Sequence, residues 1–135
     1  MQAPTINILI LVVDDEEDVQ ILFKQKFRKE IKKGLLYFDF ALCAEDALNY
    51  LQQERAASVV LILSDINMPG MNGLELLKII KAEYPDLKVF MLTAYSNDQN
   101  QQLAQEYGAD DYLTKPIDFR KLKTKILDIV PNKST

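Results

Sequence analysis

The chain has 135 residues, of which 48% are hydrophobic and 27% are charged, a composition typical of one globular domain with a buried core. Its net charge of −4 provides no basic field for nucleic acid, and the absence of histidine excludes histidine catalysis, histidine metal ligands and a phosphohistidine in this chain. The single Cys43, apolar runs too short to cross a membrane, and an N-terminus unlike a signal peptide predict a cytoplasmic protein with no direct contact to nucleic acid or membrane.

Five short apolar runs predict five buried β-strands. They cover residues 8–13, 36–42, 59–64, 87–92 and 111–114. Amphipathic stretches separate these runs, and the alternation favours a βαβ architecture with a parallel sheet. The second run is the least uniformly apolar, because Leu36, Phe38, Phe40 and Leu42 alternate with other residues. It is therefore predicted to lie at an edge of the sheet.

The first predicted helix follows the first strand and stops at Gly34. Its apolar residues recur at helical spacing at Val19, Leu22, Phe23, Phe27 and Ile31. Its second half carries a cluster of cations at Lys24, Lys26, Arg28, Lys29, Lys32 and Lys33. These cations form either a solvated helix face that complements the helix dipole or a docking patch for an acidic protein surface.

Four more helices are predicted between and after the remaining strands. Two of them cover residues 44–53 and 74–83. Ser96 and Gln99 form a capping-box pattern that begins the fourth helix, and Gly108 ends it. This helix contains few apolar residues and is predicted to be the least firmly packed. Asp118 caps the last helix, whose predicted inward face consists of Phe119, Leu122, Ile126 and Ile129.

Polar side chains follow four of the predicted strands. Asp14 and Asp15 follow the first strand, and Asp65 follows the third. Thr93 follows the fourth strand, and Lys115 follows the fifth. Because the carboxyl ends of parallel strands form the ligand crevice, these five side chains are expected to lie together. Three carboxylates, a hydroxyl and an ammonium suit a hard metal ion and a transferring phosphoryl group.

The sequence around these residues resembles a receiver domain of two-component response regulators, over residues 8 to about 130. The resemblance rests on four motifs at residues 12–15 (VVDD), 64–70 (SDINMPG), 92–94 (LTA) and 114–116 (TKP). It implies a flavodoxin-like, doubly wound α/β fold whose five-stranded parallel sheet has the order 2-1-3-4-5, with helices on both faces. We expect the receiver domain at residues 5–131 and a short polar tail at 132–135.

The resemblance assigns the phosphoryl group to Asp65, held as an acyl phosphate. Asp14, Asp15 and Asp65, with the main-chain carbonyl of Asn67, are expected to hold Mg²⁺ or Mn²⁺. Lys115 supplies a positive charge for the phosphoryl oxygens. Alternatively, Asp65 is a helix N-cap or a solvated turn residue, the acidic pair provides N-terminal helix charge, and Lys115 is a surface lysine.

The resemblance also implies a conformational switch. Thr93 is expected to hydrogen-bond a phosphoryl oxygen, and Tyr112 to turn inward behind it, although an ordinary amphipathic strand tyrosine is the alternative. Asn67 and Tyr95 occupy the positions that tune the attack of water on the acyl phosphate. The Lys115–Pro116 peptide is expected to be cis.

The expected partners follow from the same resemblance. The phosphodonor is a phosphohistidine on a histidine kinase or phosphotransfer protein, and the cations of the first helix are a candidate docking patch for it. The output is a downstream effector protein or an attached effector domain. The fourth helix, the fifth strand and the last helix provide a surface for a homodimer. The domain is expected to catalyse only its own phosphorylation and dephosphorylation, so it is not an enzyme in the usual sense.

Other functions on similar folds remain as alternatives. A phosphatase of the haloacid dehalogenase type carries a second aspartate two residues after its nucleophile, where this chain has Asn67. A flavin module requires a phosphate-binding loop after the first strand, where residues 14–17 are all acidic. A P-loop nucleotidase requires a motif that does not occur here. A degenerate receiver that only binds partners would not need the intact set of five polar residues.

Overall fold

The computed structural model describes residues 8–55, 58–94 and 97–129. The strands are β1 (Ile8–Val13), β2 (Leu36–Ala41), β3 (Val59–Asp65), β4 (Lys88–Thr93) and β5 (Asp111–Thr114). The helices are α1 (Asp18–Lys26), α2 (Arg28–Lys32), α3 (Ala44–Tyr50), α4 (Gly73–Glu83), α5 (Asp98–Glu106) and α6 (Phe119–Ile129), and a π-helical turn (Leu51–Arg55) follows α3. In this part of the chain no helix is long and apolar enough to span a membrane.

The five strands pair in parallel in the order β2-β1-β3-β4-β5, which confirms the predicted order and the edge position of β2. Val13 of β1 lies beside Ala41 of β2 and Ser64 of β3, so the carboxyl ends of these three strands are level. The strand order reverses between β1 and β3. In open parallel sheets, ligands bind at the carboxyl ends of the strands where the order reverses. The site described below lies at this point of the sheet.

Two hydrophobic clusters form the core, one on each face of the sheet. Because successive side chains of a strand point to opposite faces, β1 contributes Leu11 and Val13 to one cluster and Ile10 and Val12 to the other. The first cluster includes buried residues of α3, α4 and α5, and the second includes buried residues of α1 and α6. Helices therefore cover both faces of the sheet, as predicted.

The first predicted helix is interrupted at Phe27, which the periodicity did not predict. Phe27 has φ −109° and ψ 21°, and it divides the segment into α1 and α2. Its N–H still donates to the carbonyl of Phe23, and its carbonyl accepts from the N–H of Ile31, so the helical hydrogen bonds continue past the irregular residue. Leu22 is 38% exposed and is not a core residue. Gly34 ends α2 with φ 72°, as predicted.

The termini of α5 and the N-terminus of α6 agree with the prediction in part. Asn97, rather than Ser96, is the N-cap of α5, and its side chain accepts a hydrogen bond from the N–H of Asn100. Ser96 lies outside the described residues. Gly108, with φ 94°, follows the end of α5. Asp118 caps α6 as predicted, because its Oδ1 accepts hydrogen bonds from two N–H groups of the first turn.

Candidate functional site

The carboxyl end of the sheet fixes the backbone around the candidate site. The N–H of Asp14 donates to the carbonyl of Ala41 at the end of β2, with an N···O distance of 3.0 Å. The N–H of Ile66 donates to Leu92 at 2.9 Å, and the N–H of Lys115 donates to Thr93 at 2.7 Å. The residues that follow β1, β3 and β5 are thus each joined to a neighbouring strand. A rigid sheet edge therefore positions the polar side chains.

The three predicted aspartates lie together. One carboxylate oxygen from each of Asp14, Asp15 and Asp65 lies within 4.8 Å of the other two. Asp14 and Asp65 are buried, with 4% and 6% of their surface exposed, whereas Asp15 is exposed. The N–H of Asn67 donates to Asp65 Oδ1 at 3.3 Å. An all-oxygen cluster that is open to solvent on one side fits Mg²⁺, which binds a few carboxylates and keeps several waters.

Lys115 reaches the aspartate cluster from the end of β5. Its Nζ lies 2.9 Å from Asp14 Oδ2 and 3.3 Å from Asp65 Oδ2. Burial alone disfavours the ammonium, but the hydrogen bonds and charges of the two aspartates outweigh it and raise the pKa of Lys115. The side chain therefore remains charged. The Lys115–Pro116 peptide is cis, as expected.

Asp65 experiences opposing effects. Burial raises its pKa, the nearby charge of Lys115 opposes that rise, and the like charge of Asp14 adds to it. The net effect is a raised pKa for Asp65. The ionised carboxylate is therefore held at a cost in free energy, which a bound cation would reduce.

Thr93 and Tyr112 lie on β4 and β5, the two strands that follow β3 in the sheet. Thr93 is fully buried at the end of β4, and Ala94 after it is exposed. Met91 of β4 pairs with Tyr112. Burial raises the pKa of Tyr112, and its phenol oxygen has no hydrogen-bond partner among the described residues. Tyr95 lies outside the described residues.

Gly73 is a residue that the sequence analysis did not assign to the site. It begins α4, its N–H donates to the carbonyl of Ile66 at 2.8 Å, and a Cβ on it would lie 2.0 Å from the carbonyl oxygen of Asp65. Only a glycine lets α4 approach the end of β3 this closely. A glycine at the first position of an otherwise good helix was the available signal, because glycine is a poor helix former.

A capping box holds the same helix end. The Asn72 side chain accepts from the N–H of Glu75 at 2.9 Å, and the Glu75 carboxylate accepts from the N–H of Asn72 at 3.1 Å. These reciprocal bonds fix the start of α4 directly after the loop that carries Asn67. The spacing of Asn72 and Glu75 could have indicated this cap from the sequence.

Comparison with known proteins decides the family. The sequence profile of the response regulator receiver domain matches residues 10–127. The chain belongs to the response regulator receiver family. This assignment favours a receiver over the phosphatase, flavin-binding and P-loop alternatives, and receiver domains are signalling domains of two-component systems.

Relatives of this receiver domain include proteins of different lengths. The chain is 38% identical over 120 residues to the transcriptional regulatory protein YvrH of Bacillus subtilis, covering 89% of this chain and 48% of that protein. It therefore spans about half the length of YvrH. It is 34% identical over 128 residues to the sporulation initiation phosphotransferase F of the same organism, covering 95% of this chain and 98% of that protein.

A solved structure also resembles this receiver domain. The response regulator TrrA of Thermotoga maritima, solved in complex with Mg²⁺–BeF, is 33% identical and superposes with a TM-score of 0.75. The comparison covers 90% of this chain and 98% of TrrA. The flavodoxin-like fold predicted from the sequence is thus confirmed by a structural relative.

Proposed function

We propose that Asp65 accepts a phosphoryl group from a phosphohistidine donor in a Mg²⁺-dependent reaction, and that the resulting acyl phosphate switches the domain. The observation that carries this proposal is the cluster itself. Carboxylate oxygens of Asp14, Asp15 and Asp65 lie within 4.8 Å of one another, and the Lys115 ammonium lies within 3.3 Å of two of these carboxylates. Three carboxylates would repel one another without a cation.

Each residue has a distinct part in the proposed transfer. A carboxylate oxygen of Asp65 attacks the phosphorus, a new O–P bond forms, and the P–N bond to the donor imidazole breaks with its electron pair returning to that nitrogen. Lys115 and the Thr93 hydroxyl bind the phosphoryl oxygens. Positioning and charge neutralisation supply most of the acceleration in reactions of this kind.

Asp14, Asp15 and Asp65, with the main-chain carbonyl of Asn67, are the residues that would hold Mg²⁺ or Mn²⁺. When bound, the ion would supply positive charge that offsets the negative charge of the phosphoryl group. The chemistry of the donor set supports this assignment, because every candidate ligand atom is an oxygen. Asn67 is exposed beside Asp65, where its side chain can influence the access of water, and Tyr95 is proposed to share that influence.

The switch is proposed to involve Thr93, Tyr112 and α5. The phosphoryl group draws Thr93 toward it, and Tyr112 moves into the space behind. The phenol oxygen of Tyr112 is already buried without a hydrogen-bond partner among the described residues, so movement that provides one would be favourable. Helix α5 has a single buried residue, Ala104, and so has little apolar contact to resist displacement.

The wider circuit is proposed from the family and its members. Residues 5–131 form the receiver domain, and a histidine kinase or phosphotransfer protein acts as the donor. The output goes to an effector protein or to an attached effector domain, and a homodimer would use α5, β5 and α6. We place the protein in the cytoplasm.

Intact-mass spectrometry tests the proposed acceptor. Wild type and Asp65→Asn are incubated with acetyl phosphate and Mg²⁺, with EDTA-treated wild type as the metal control. We expect a gain of about 80 Da, the mass of one phosphoryl group, in wild type with Mg²⁺ only. An adduct that persists in Asp65→Asn would show that another residue is the acceptor. No adduct in any sample would contradict autocatalysed phosphorylation by this small donor.

A further inference from the structure

A groove opens between the first helical segment and the edge strand β2. Its cavity has a volume of about 370 Å³ and is lined by Lys24, Arg28, Ile31, Lys32, Tyr37 and Phe38. We refer to these six residues as the edge groove. Strand β2 is at the edge of the sheet, and its outer side pairs with no strand among the described residues.

Aromatic packing fixes the floor of the edge groove. The Phe38 ring meets the rings of Phe23 and Phe27 edge-on, with centroid distances of 5.3 Å and 5.0 Å. Phe23 and Phe27 are fully buried, so Phe38 rests on a rigid base. Tyr37, at the side of the groove, is 44% exposed. A preformed apolar floor next to an exposed aromatic side chain is a surface suited to anchoring a partner side chain.

The rim of the edge groove is cationic. Lys24, Arg28 and Lys32 are four residues apart along one row of the helical segment, and all three are exposed. None of them forms an ion pair with a carboxylate among the described residues, although the Lys24 ammonium lies 5.6 Å from the Phe40 ring centroid. Like charges four residues apart on a helix destabilise it, so this row of cations does not help folding. The row is also positive on a chain whose net charge is −4. The rim therefore complements an anionic partner.

The edge groove is separate from the phosphorylation site. Phe38 pairs with Ile10 of β1, and Asp14 comes four residues after Ile10. Four residues of strand correspond to about 13 Å. A segment bound in the groove would therefore leave the aspartate cluster accessible.

We propose that the edge groove binds an acidic peptide segment of a partner protein. One aromatic or aliphatic side chain of the segment packs against Phe38 and Tyr37, and its carboxylates lie beside Lys24, Arg28 and Lys32. The concave shape favours an inserted side chain over a flat lipid surface. This binding goes beyond the proposed phosphorylation and does not require it.

Fluorescence anisotropy with a synthetic peptide tests the proposal. The probe is a fluorescein-labelled peptide in which glutamates flank one central phenylalanine. Two control peptides replace the phenylalanine with alanine or the glutamates with glutamines. The variants are Arg28→Glu and the matched control Lys29→Glu, which makes the same charge change at an exposed neighbouring residue outside the groove. Circular dichroism checks that both variants fold.

We expect saturable binding of the acidic phenylalanine peptide to the wild-type chain, and at least about fivefold weaker binding of each control peptide. Arg28→Glu should weaken binding about tenfold, and Lys29→Glu less than about twofold. Phosphorylation by acetyl phosphate should be the same in Arg28→Glu and wild type.

Several results would overturn the proposal. They are no saturable binding to wild type, equal binding of the alanine peptide, or equal loss of binding in the two variants. Phosphatidylserine vesicles that bind the wild type, but not Arg28→Glu, while the peptide does not bind, would identify an anionic lipid surface instead. The peptide controls use the wild-type protein and keep the test decisive even if a variant fails to fold.

Discussion

Asp65 is almost completely buried, yet the proposed nucleophile is its ionised form. Only 6% of its surface is exposed, and burial together with the charge of Asp14 raises its pKa despite the ammonium of Lys115. The site therefore holds a carboxylate that is less stable than one in water. This arrangement makes the protein less stable but favours the binding of a cation, which reduces the repulsion.

Replacement of this carboxylate should stabilise the protein at neutral pH. Because the folded-state pKa of Asp65 is above its usual value of 3.8, the contribution of Asp65 to stability is fully present below that value and is lost as the pH rises through the folded-state pKa. Asp65→Asn removes this loss. We expect its Tm, measured without divalent ions, to exceed that of wild type by about 4 °C at pH 7, corresponding to about 1 kcal/mol.

The pH dependence provides the check on this stability prediction. The difference in Tm between Asp65→Asn and wild type should shrink as the pH falls toward 3.8. The exposed Asp86→Asn serves as the control and should change Tm little at either pH. A wild type that is more stable than Asp65→Asn at pH 7 without divalent ions would contradict the prediction.

Gly73 should tolerate no side chain, because its neighbour is backbone rather than a flexible side chain. A Cβ would lie 2.0 Å from the carbonyl oxygen of Asp65, so Gly73→Ala must separate α4 from β3. We expect a loss of about 3 kcal/mol or more in the free energy of unfolding, measured with urea. Gly70→Ala is the control and should lose only about 1 kcal/mol, because Gly70 has φ 77° and a Cβ on it would contact only the Glu45 side chain, at 3.9 Å. Equal losses would show that close approach is unimportant.

At the scale of the elements, α4 and α5 differ in how firmly the fold holds them. Five residues of α4 are buried, against one of α5. Both helices have an asparagine N-cap, Asn72 and Asn97, whose side chain accepts a hydrogen bond from an N–H of the first turn. Because α4 packs beneath the candidate site and α5 packs lightly, the same cap should have different effects on the two helices.

The two capping asparagines therefore form a matched pair of substitutions. Asn72→Ala should lower the global free energy of unfolding by about 1 kcal/mol, the usual value of an N-cap. Asn97→Ala should mainly speed hydrogen exchange within α5 and change global stability less. Amide exchange followed by NMR distinguishes the two effects. Amides of α5 that are as protected as those of α4 in wild type would contradict the view that α5 is the loosely held helix.

The elements also show which features a sequence can predict. The strands followed from five apolar runs, because buried parallel strands have few other compositions. Their order followed from the resemblance to receiver domains and not from the apolar runs. The prediction that Ser96 begins α5 was wrong, because Ser96 and Asn97 are adjacent and both residue types cap helices well. The break at Phe27 was missed, because the spacing of apolar residues is unchanged by one irregular residue whose hydrogen bonds continue.

At the scale of the whole molecule, strand order brings distant residues together. The convergence of Asp14, Asp65 and Lys115 could be predicted because each follows a strand, and the carboxyl ends of parallel strands share one edge. The ion pairs of Lys115 with two aspartates, and the approach of Gly73 to Asp65, could not be predicted, since they depend on side-chain and helix positions. The edge groove could not be predicted for the same reason, although the sequence analysis identified the cations of the first helix.

The aspartate cluster should also couple metal binding to the stability of the whole domain. A ligand that binds only the folded chain stabilises it according to its concentration, by about 1.4 kcal/mol at ten times its Kd. Mg²⁺ should therefore raise the Tm of wild type by about 4 °C at that concentration. Asp15→Asn should abolish most of this increase with little effect on the metal-free protein, because Asp15 is exposed.

Differential scanning calorimetry at constant ionic strength measures both effects, with NaCl replacing MgCl₂ in the control. Equal stabilisation of wild type and Asp15→Asn by Mg²⁺ would place the metal elsewhere. In that case Lys115 would be the only cation that offsets the repulsion between the two buried aspartates. Its Nζ lies 2.9 Å from Asp14 and 3.3 Å from Asp65, but its single positive charge can balance only one of the two negative charges.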